Sequence, residues 1–231
     1  MSVRRLSPEK LDSLSPSDPD ARASRRDLQR LHSILGQKKL WLDWIRNRYP
    51  DRPPPSLVDL GCGDGHLLTS ILPTAFPQGG HGARLFFVDR QPTVLDSTLD
   101  FLRRQNWLPS VVSADVHEWA RTAPHVELII ANLFLHHFAD EPLRDLFQTL
   151  ATRTPLFAAA EPRRALPGKI GSRLLGILGC HPVTQHDARV SVEAGFCSHE
   201  ISTLWPSPTS WNFQEHGVGL FTHFFSAERI D

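Results

Sequence analysis

Short apolar runs alternate with amphipathic segments along the middle of this chain. The first run is Leu57-Val58 with Leu60, placed after the loop Pro53-Pro54-Pro55. Arg84 to Asp89, Ser110 to Ser113, Val126 to Ala131 and Leu156 to Ala160 follow it. Runs of this length, bounded by turn residues, predict buried strands. Helical spacing recurs between them. Leu95, Leu99 and Leu102 follow Pro92, and Leu143, Leu146, Phe147 and Leu150 follow Asp140 and Pro142. Strand and helix in alternation predict a parallel sheet covered on both faces.

The two ends depart from this rhythm. Residues 1–23 are rich in Ser, Pro, Asp and Arg with few hydrophobics, and read as a loose arm that a ligand would order. Leu28, Leu31 and Leu35 then share one helical face, and Trp41, Trp44, Ile45 and Tyr49 another, with Gly36 breaking the segment in two. These helices, residues 24–50, are expected either to lie over a ligand as a lid or to pack on the sheet. After Ala160 the pattern loosens, and residues 161–186 read as an inserted helical cap. A helix from Ala188 to Ala194 and strands near Glu200 to Leu204 and Leu220 to Ala227 are expected to close the domain, which runs from 24 to 231. The loop Pro206-Ser207-Pro208 would join the last two strands as an antiparallel hairpin.

The chemistry concentrates where the first strand ends, in Val58-Asp59-Leu60-Gly61-Cys62-Gly63-Asp64-Gly65. Glycines let bare main chain approach a ligand, and the next helix points its first amides at the same place. A dinucleotide fingerprint spaces its glycines G-x-G-x-x-G and sets a pyrophosphate on them. Here the spacing is G-x-G-x-G with Asp59 and Asp64 alongside, which suits a cation, hydroxyls or amines rather than a phosphate.

This stretch resembles motif I of the class I S-adenosylmethionine (SAM)-dependent methyltransferases, and the resemblance extends over roughly Ser56 to Ala160. It implies an α/β, Rossmann-like, seven-stranded, mostly parallel sheet of order 3-2-1-4-5-7-6. SAM would be the cofactor and S-adenosyl-L-homocysteine (SAH) the product. Asp59, Gly61, Cys62, Gly63 and Gly65 would form the loop under the ligand. Asp89, which ends the second strand 28 residues after Gly61, would hold the ribose hydroxyls, with Arg90 beside it. Asp115 and Val116 would flank the adenine, although an Asp there also suits a helix cap. Asn132 and Leu133, after the fourth strand, would face the methyl group. The segment Asn132 to Phe138 is similar to that of ubiquinone and menaquinone methyltransferases. It lacks the prolines of the (Asp/Asn)-Pro-Pro-(Tyr/Phe) pattern of amide and base N-methylation.

Methyl transfer to a phenol or enol gains from a base of near-neutral pKa. His136, His137 and His186, the last next to Asp187, are the candidates. No metal is expected, because adjacent histidines on one element point to different sides and no H-x-x-x-H accompanies them. Trp205, Trp211 and Phe213 are candidates for an apolar acceptor pocket, set against the ordinary role of aromatics in cores. Glu161, with Arg163 and Arg164, is expected at the acceptor or in an ion pair.

Charge narrows the acceptor. The chain has 25 Lys and Arg against 25 Asp and Glu, which gives no bulk attraction to nucleic acid or an anionic surface. Three separated cysteines indicate neither a disulfide framework nor a zinc site. No apolar run is long enough to span a bilayer, and the protein is expected in the cytoplasm. The reading is methylation of oxygen or carbon on a small apolar aromatic, polyketide or quinone-type molecule. A protein or RNA methyltransferase, or a non-catalytic SAM-binding partner subunit, is the alternative.

Overall fold

A computed structural model describes residues 3–15 and 17–230 of the protein. Residues 1, 2 and 16 of the expected arm and Asp231 lie outside the described residues. The chain runs α1 (Pro19–Ile34), α2 (Gln37–Arg48), β1 (Ser56–Leu60), α3 (His66–Ala75), β2 (Arg84–Asp89) and α4 (Asp96–Arg104). It continues β3 (Leu108–Ser113), α5 (Val116–Thr122), β4 (Leu128–Asn132), α6 (Asp140–Leu150) and β5 (Leu156–Pro162). It ends with α7 (Leu166–Leu174), α8 (Pro182–Ala194), β6 (Trp211–Val218) and β7 (Thr222–Arg229).

The strands form one seven-stranded sheet of order β3-β2-β1-β4-β5-β7-β6, as the resemblance implied. Pairs are parallel except β5 with β7 and β6 with β7. Helices cover both faces, so the central strands are apolar along most of their length, with Asp59 and Glu161 toward their carboxyl ends. Every residue of β1 and β5 is buried. Val58 and Leu60 pack with α5 and α6 on one face, while Leu57 packs with α2 and α3 on the other. This doubly covered sheet puts the ends of β1, β2, β4 and β5 at one edge, where the carboxyl termini of parallel strands leave a crevice. Among the described residues no helix is long and apolar enough to cross a membrane.

Three elements differ from expectation. The closing hairpin is Trp211–Val218 with Thr222–Arg229, and Ser202–Leu204 is a 3-10 turn rather than a strand. Glu215 of β6 accepts the Ile201 and Ser202 amides at 2.9 Å each, so that segment is bonded to a side chain and not to a ladder. Leu95 precedes α4 and is 66% exposed instead of buried. The Thr93 amide donates to the Gly63 carbonyl at 2.8 Å, which ties the residues before Asp96 to the glycine loop. Helix α1 begins at Pro19, inside the expected arm, because Asp18 caps it by accepting the Asp20 amide at 2.8 Å.

Candidate active site

The glycine loop leaves β1 at Gly61, whose φ is +69°. A side chain here would be strained, and its Cβ would sit 2.2 Å from the Phe134 ring. Gly63, at φ +54°, is different, since a Cβ there would meet nothing within 4 Å. Open space therefore lies directly over the Gly63 main chain. Asp89 fixes the loop from β2: its Oδ2 accepts the Gly63 amide at 2.9 Å and its Oδ1 the Gln91 amide at 2.8 Å. Asp64 accepts from the His66 amide at 3.0 Å and from Gln29 Nε2 at 2.6 Å.

Three carboxylates thus crowd one loop. Burial first, then the Asp89 and Asp64 charges, push Asp59 up to about 8. The same causes, burial first, raise the Cys62 thiol, which keeps it protonated and unreactive. Such a cluster favours a ligand that brings positive charge.

Two cavities of about 560 Å³ and about 210 Å³ meet over this loop and share Gly61, Gly63, Leu133 and His136 in their walls. The larger takes in Asp89, Arg90, Asp115 and Val116, and the smaller Asp59, Cys62, Asp64 and Asn132. Asp115 also caps α5, accepting the His117 amide at 2.8 Å. The Asn132 side-chain oxygen accepts from Trp41 Nε1 at 2.8 Å, which joins α2 to the end of β4.

Beyond β4 the chain makes a strained turn: Leu133 holds a φ of +53°. Glu161, fully buried at the end of β5, secures that turn. Its Oε1 accepts the Phe134 and Leu135 amides at 3.0 and 2.9 Å, and its Oε2 lies 2.7 Å from His136 Nδ1. The opposite ring nitrogen, His136 Nε2, lies 3.3 Å from Glu9. Glu9 also accepts from Ser191. Burial alone would lower His136, but the bonds to Glu161 and Glu9 outweigh it and raise the ring to about 9. Burial would likewise raise Glu9, yet its bond to His136 holds it down at about 2. His136 is therefore an imidazolium between two carboxylates.

Glu9 belongs to a segment that sequence reasoning set aside as a loose arm. Leu6, Pro8, Glu9, Leu11 and Asp12 roof the larger cavity, together with Arg25 and Leu28 of α1. Asp187 of α8 pins the roof by accepting the Lys10 and Leu11 amides at 2.8 and 2.9 Å. Arg4 lies over the Phe196 ring and donates to the Ala194 and Phe138 carbonyls. Helix α1 thus contributes to the roof, whereas α2 packs on the sheet through Trp41 and Ile45.

The predicted histidines separate accordingly. His136 and His137 both line the larger cavity, and His137 Nδ1 lies 3.3 Å from Asp12. His186 lines neither cavity and sits 2.8 Å from Asp187. Gly65 caps α3 below the loop. Trp205 and Trp211 are core residues, not pocket walls: Trp205 packs against the Phe147, Phe157 and Phe225 rings and Trp211 edge-on against Trp205. Glu9 and Arg25 were absent from the predicted site, and Glu161, expected at the acceptor or in an ion pair, pairs with the His136 ring and holds the turn after β4. Among the described residues Glu9, His136 and His137 form a group whose spacing would admit a metal ion, a juxtaposition that adjacent histidines in sequence do not reveal.

The roof's anchor titrates in a defined direction. The raised His136 contributes stability that is complete below its ordinary 6.5 and is lost as pH rises through about 9. The depressed Glu9 contributes above its ordinary 4.5 and loses this as pH falls through about 2. Between pH 6.5 and 9 the melting temperature should therefore fall, by roughly 5 °C or more for a chain of this size. His136→Gln should flatten that slope. A wild-type melting temperature constant over the interval would exclude the buried imidazolium.

Residues 57–154 match the family model described as a methyltransferase domain. The plantazolicin methyltransferase BpumL in complex with SAH superposes with a TM-score of 0.62 over 93% of this chain and 92% of that chain, at 14% identity. Magnesium protoporphyrin IX methyltransferase from Synechocystis, also with bound SAH, gives 0.56 over 96% and 92%, at 12% identity. The pyocyanin biosynthetic protein PhzM gives 0.63 over 96% of this chain and 62% of that one, at 18% identity. At these identities the likeness is one of fold. No curated protein sequence matches the chain. The domain match covers residues 57–154, and the fold that the chain shares with the SAH-bound methyltransferases extends over the rest of it.

Proposed function

We propose that the protein methylates oxygen or carbon on a small, largely apolar acceptor of aromatic, polyketide or quinone type. The observation that carries this reading is the composition of the larger cavity. Its walls combine Asp89, Asp115 and the bare loop at Gly63 with the apolar residues Leu6, Pro8, Leu11, Leu28, Phe138 and Val190. A volume of about 560 Å³ lies within the range of about 300–1,000 Å³ typical of small-molecule sites. The balanced charge supports a small acceptor over a nucleic acid. Fold relatives named for plantazolicin, magnesium protoporphyrin IX and pyocyanin biosynthesis are in keeping with it.

SAM, when bound, supplies a methyl group already activated on a sulfonium. The protein's part is to orient the acceptor, exclude water and take up a proton. Asp89 would hold the ribose hydroxyls, Asp115 and Val116 the adenine, and Asp59 and Asp64 the ammonium end. The roof of residues 6–12 would exclude water. His136 suits a positioning role, since an imidazolium has no proton vacancy. His137 is the candidate base. Calorimetric titration with SAM and SAH, followed by a screen of phenolic and polyketide acceptors, tests the reading; activity on tRNA or a protein substrate instead would overturn it. Asp89→Ala should weaken SAM binding ten-fold or more, the scale of one or two charge-assisted hydrogen bonds. Unchanged affinity would remove Asp89 from the ribose.

A further inference from the structure

Helix α7 is built inside out. Its inward positions are small, Gly168 and Ser172, both buried. A Cβ on Gly168 would lie 2.9 Å from the Arg163 carbonyl oxygen and 3.3 Å from Val192 of α8, so the close packing at this position depends on that glycine. The large residues face the other way. Leu166, Ile170 and Leu174 recur every fourth position, which aligns them in one stripe, and they are 70%, 49% and 46% exposed. Beyond the helix the stripe continues into Ile177 and Leu178, at 82% and 66%. Phe221 packs on Gly171 and brings the β6–β7 tip against the helix, adding Leu220 at 59% exposed. An amphipathic helix on a protein surface normally turns its apolar stripe inward. A contiguous apolar face turned outward marks an interaction surface.

Charge selects the occupant. From residue 163 to 186 the sequence has no Asp or Glu, although acids and bases balance over the whole chain. Arg163, Arg164, Lys169 and Arg173 fall in that stretch. Arg164 is buried against Glu200, but Arg173 stands exposed in the last turn of α7, and Arg163 reaches the Gly219 carbonyl at the hairpin tip. Leucines and isoleucines rimmed by basic side chains fit the boundary between acyl chains and anionic headgroups. Two copies of this face would oppose like charges.

We propose that α7, the turn after it and the β6–β7 tip form a surface that seats the protein on an anionic lipid bilayer. This surface stands apart from the acceptor reading, because it shares no residue with the two cavities. The test is co-sedimentation of the full chain with phosphatidylcholine vesicles, with and without phosphatidylglycerol, at low and high salt. Binding is expected to the anionic vesicles and to weaken with salt. Ile170→Glu combined with Leu174→Glu should lower the bound fraction ten-fold or more, and Arg173→Glu should lower it on anionic vesicles alone. SAM affinity, measured by calorimetry on the same variants, should stay at the wild-type value, which separates this surface from the cofactor site. Absence of binding to anionic vesicles at low salt would overturn the proposal. So would a double variant that binds like wild type, or a wild-type dimer that the double variant converts to monomer, which would assign the face to a second copy. Should the double variant aggregate, Arg173→Glu decides: wild-type binding by that variant would overturn the proposal.

Discussion

Glu161→Ala should lower the melting temperature by roughly 10 °C or more. The side chain is fully buried and serves three backbone amides at 2.9–3.3 Å and the His136 ring at 2.7 Å. Removing one partner of a buried charged pair typically costs about 3–5 kcal/mol, because the other charge stays behind uncompensated. The alanine variant leaves the imidazolium with Glu9 alone and leaves the Phe134 and Leu135 amides without this acceptor. It also loosens the turn that follows Leu133, whose left-handed conformation, itself a strain of about 1–3 kcal/mol, is then held by the Ala160 carbonyl at 2.8 Å. Glu161→Gln should lose less, since its amide oxygen still accepts the Phe134 and Leu135 amides, while its NH2 group can donate to the ring once His136 gives up the Nδ1 proton. Calorimetric melting of both variants checks the order. A drop under about 2 °C in the alanine variant would mean that the turn is held by packing alone.

The sheet was legible because the central strands are apolar on both faces and bounded by turn residues. The glycine loop was legible because a ligand that needs bare main chain leaves glycines at fixed spacing. Asp89 could be placed by counting from Gly61, since a parallel sheet sets its strand ends side by side. The roof was not legible. Residues 6–12 bury little apolar surface of their own and are held by single polar contacts, Asp187 to two amides and Glu9 to His136, that join positions more than 120 apart in sequence. Such pairs leave no periodic trace. Strand β6 was missed for a related reason: at the edge of the sheet it alternates, so Trp211 is buried while Asn212, Gln214 and His216 face outward. Its low apolar content hid it, and the β-branched residues Ile201 and Thr203 drew the prediction ten residues upstream. Ser-Asp-Pro before Asp20 was a readable helix start, with a capping Asp followed by Pro at the first helical position.

His137→Ala should lower turnover by about 100- to 10,000-fold, the usual contribution of a positioned base, with SAM affinity unchanged. The adjacent histidines share a turn and a cavity, yet their surroundings assign them different work. His136 is enclosed by Glu161 and Glu9 and both its ring nitrogens are engaged, so it has no site at which to receive a proton. His137 keeps about a quarter of its side chain exposed and faces the larger cavity, with Asp12 at 3.3 Å from Nδ1 to orient the ring. That arrangement leaves Nε2 as the atom to take the acceptor's proton. Asp12→Ala, which loses only the orienting contact, should reduce turnover by a smaller factor, about ten-fold. The readout that separates a base from a wall residue is the conservative variant: His137→Gln should restore no activity, because an amide fills the space without accepting a proton. A change confined to the acceptor's KM, with kcat preserved, would leave His137 as a wall residue.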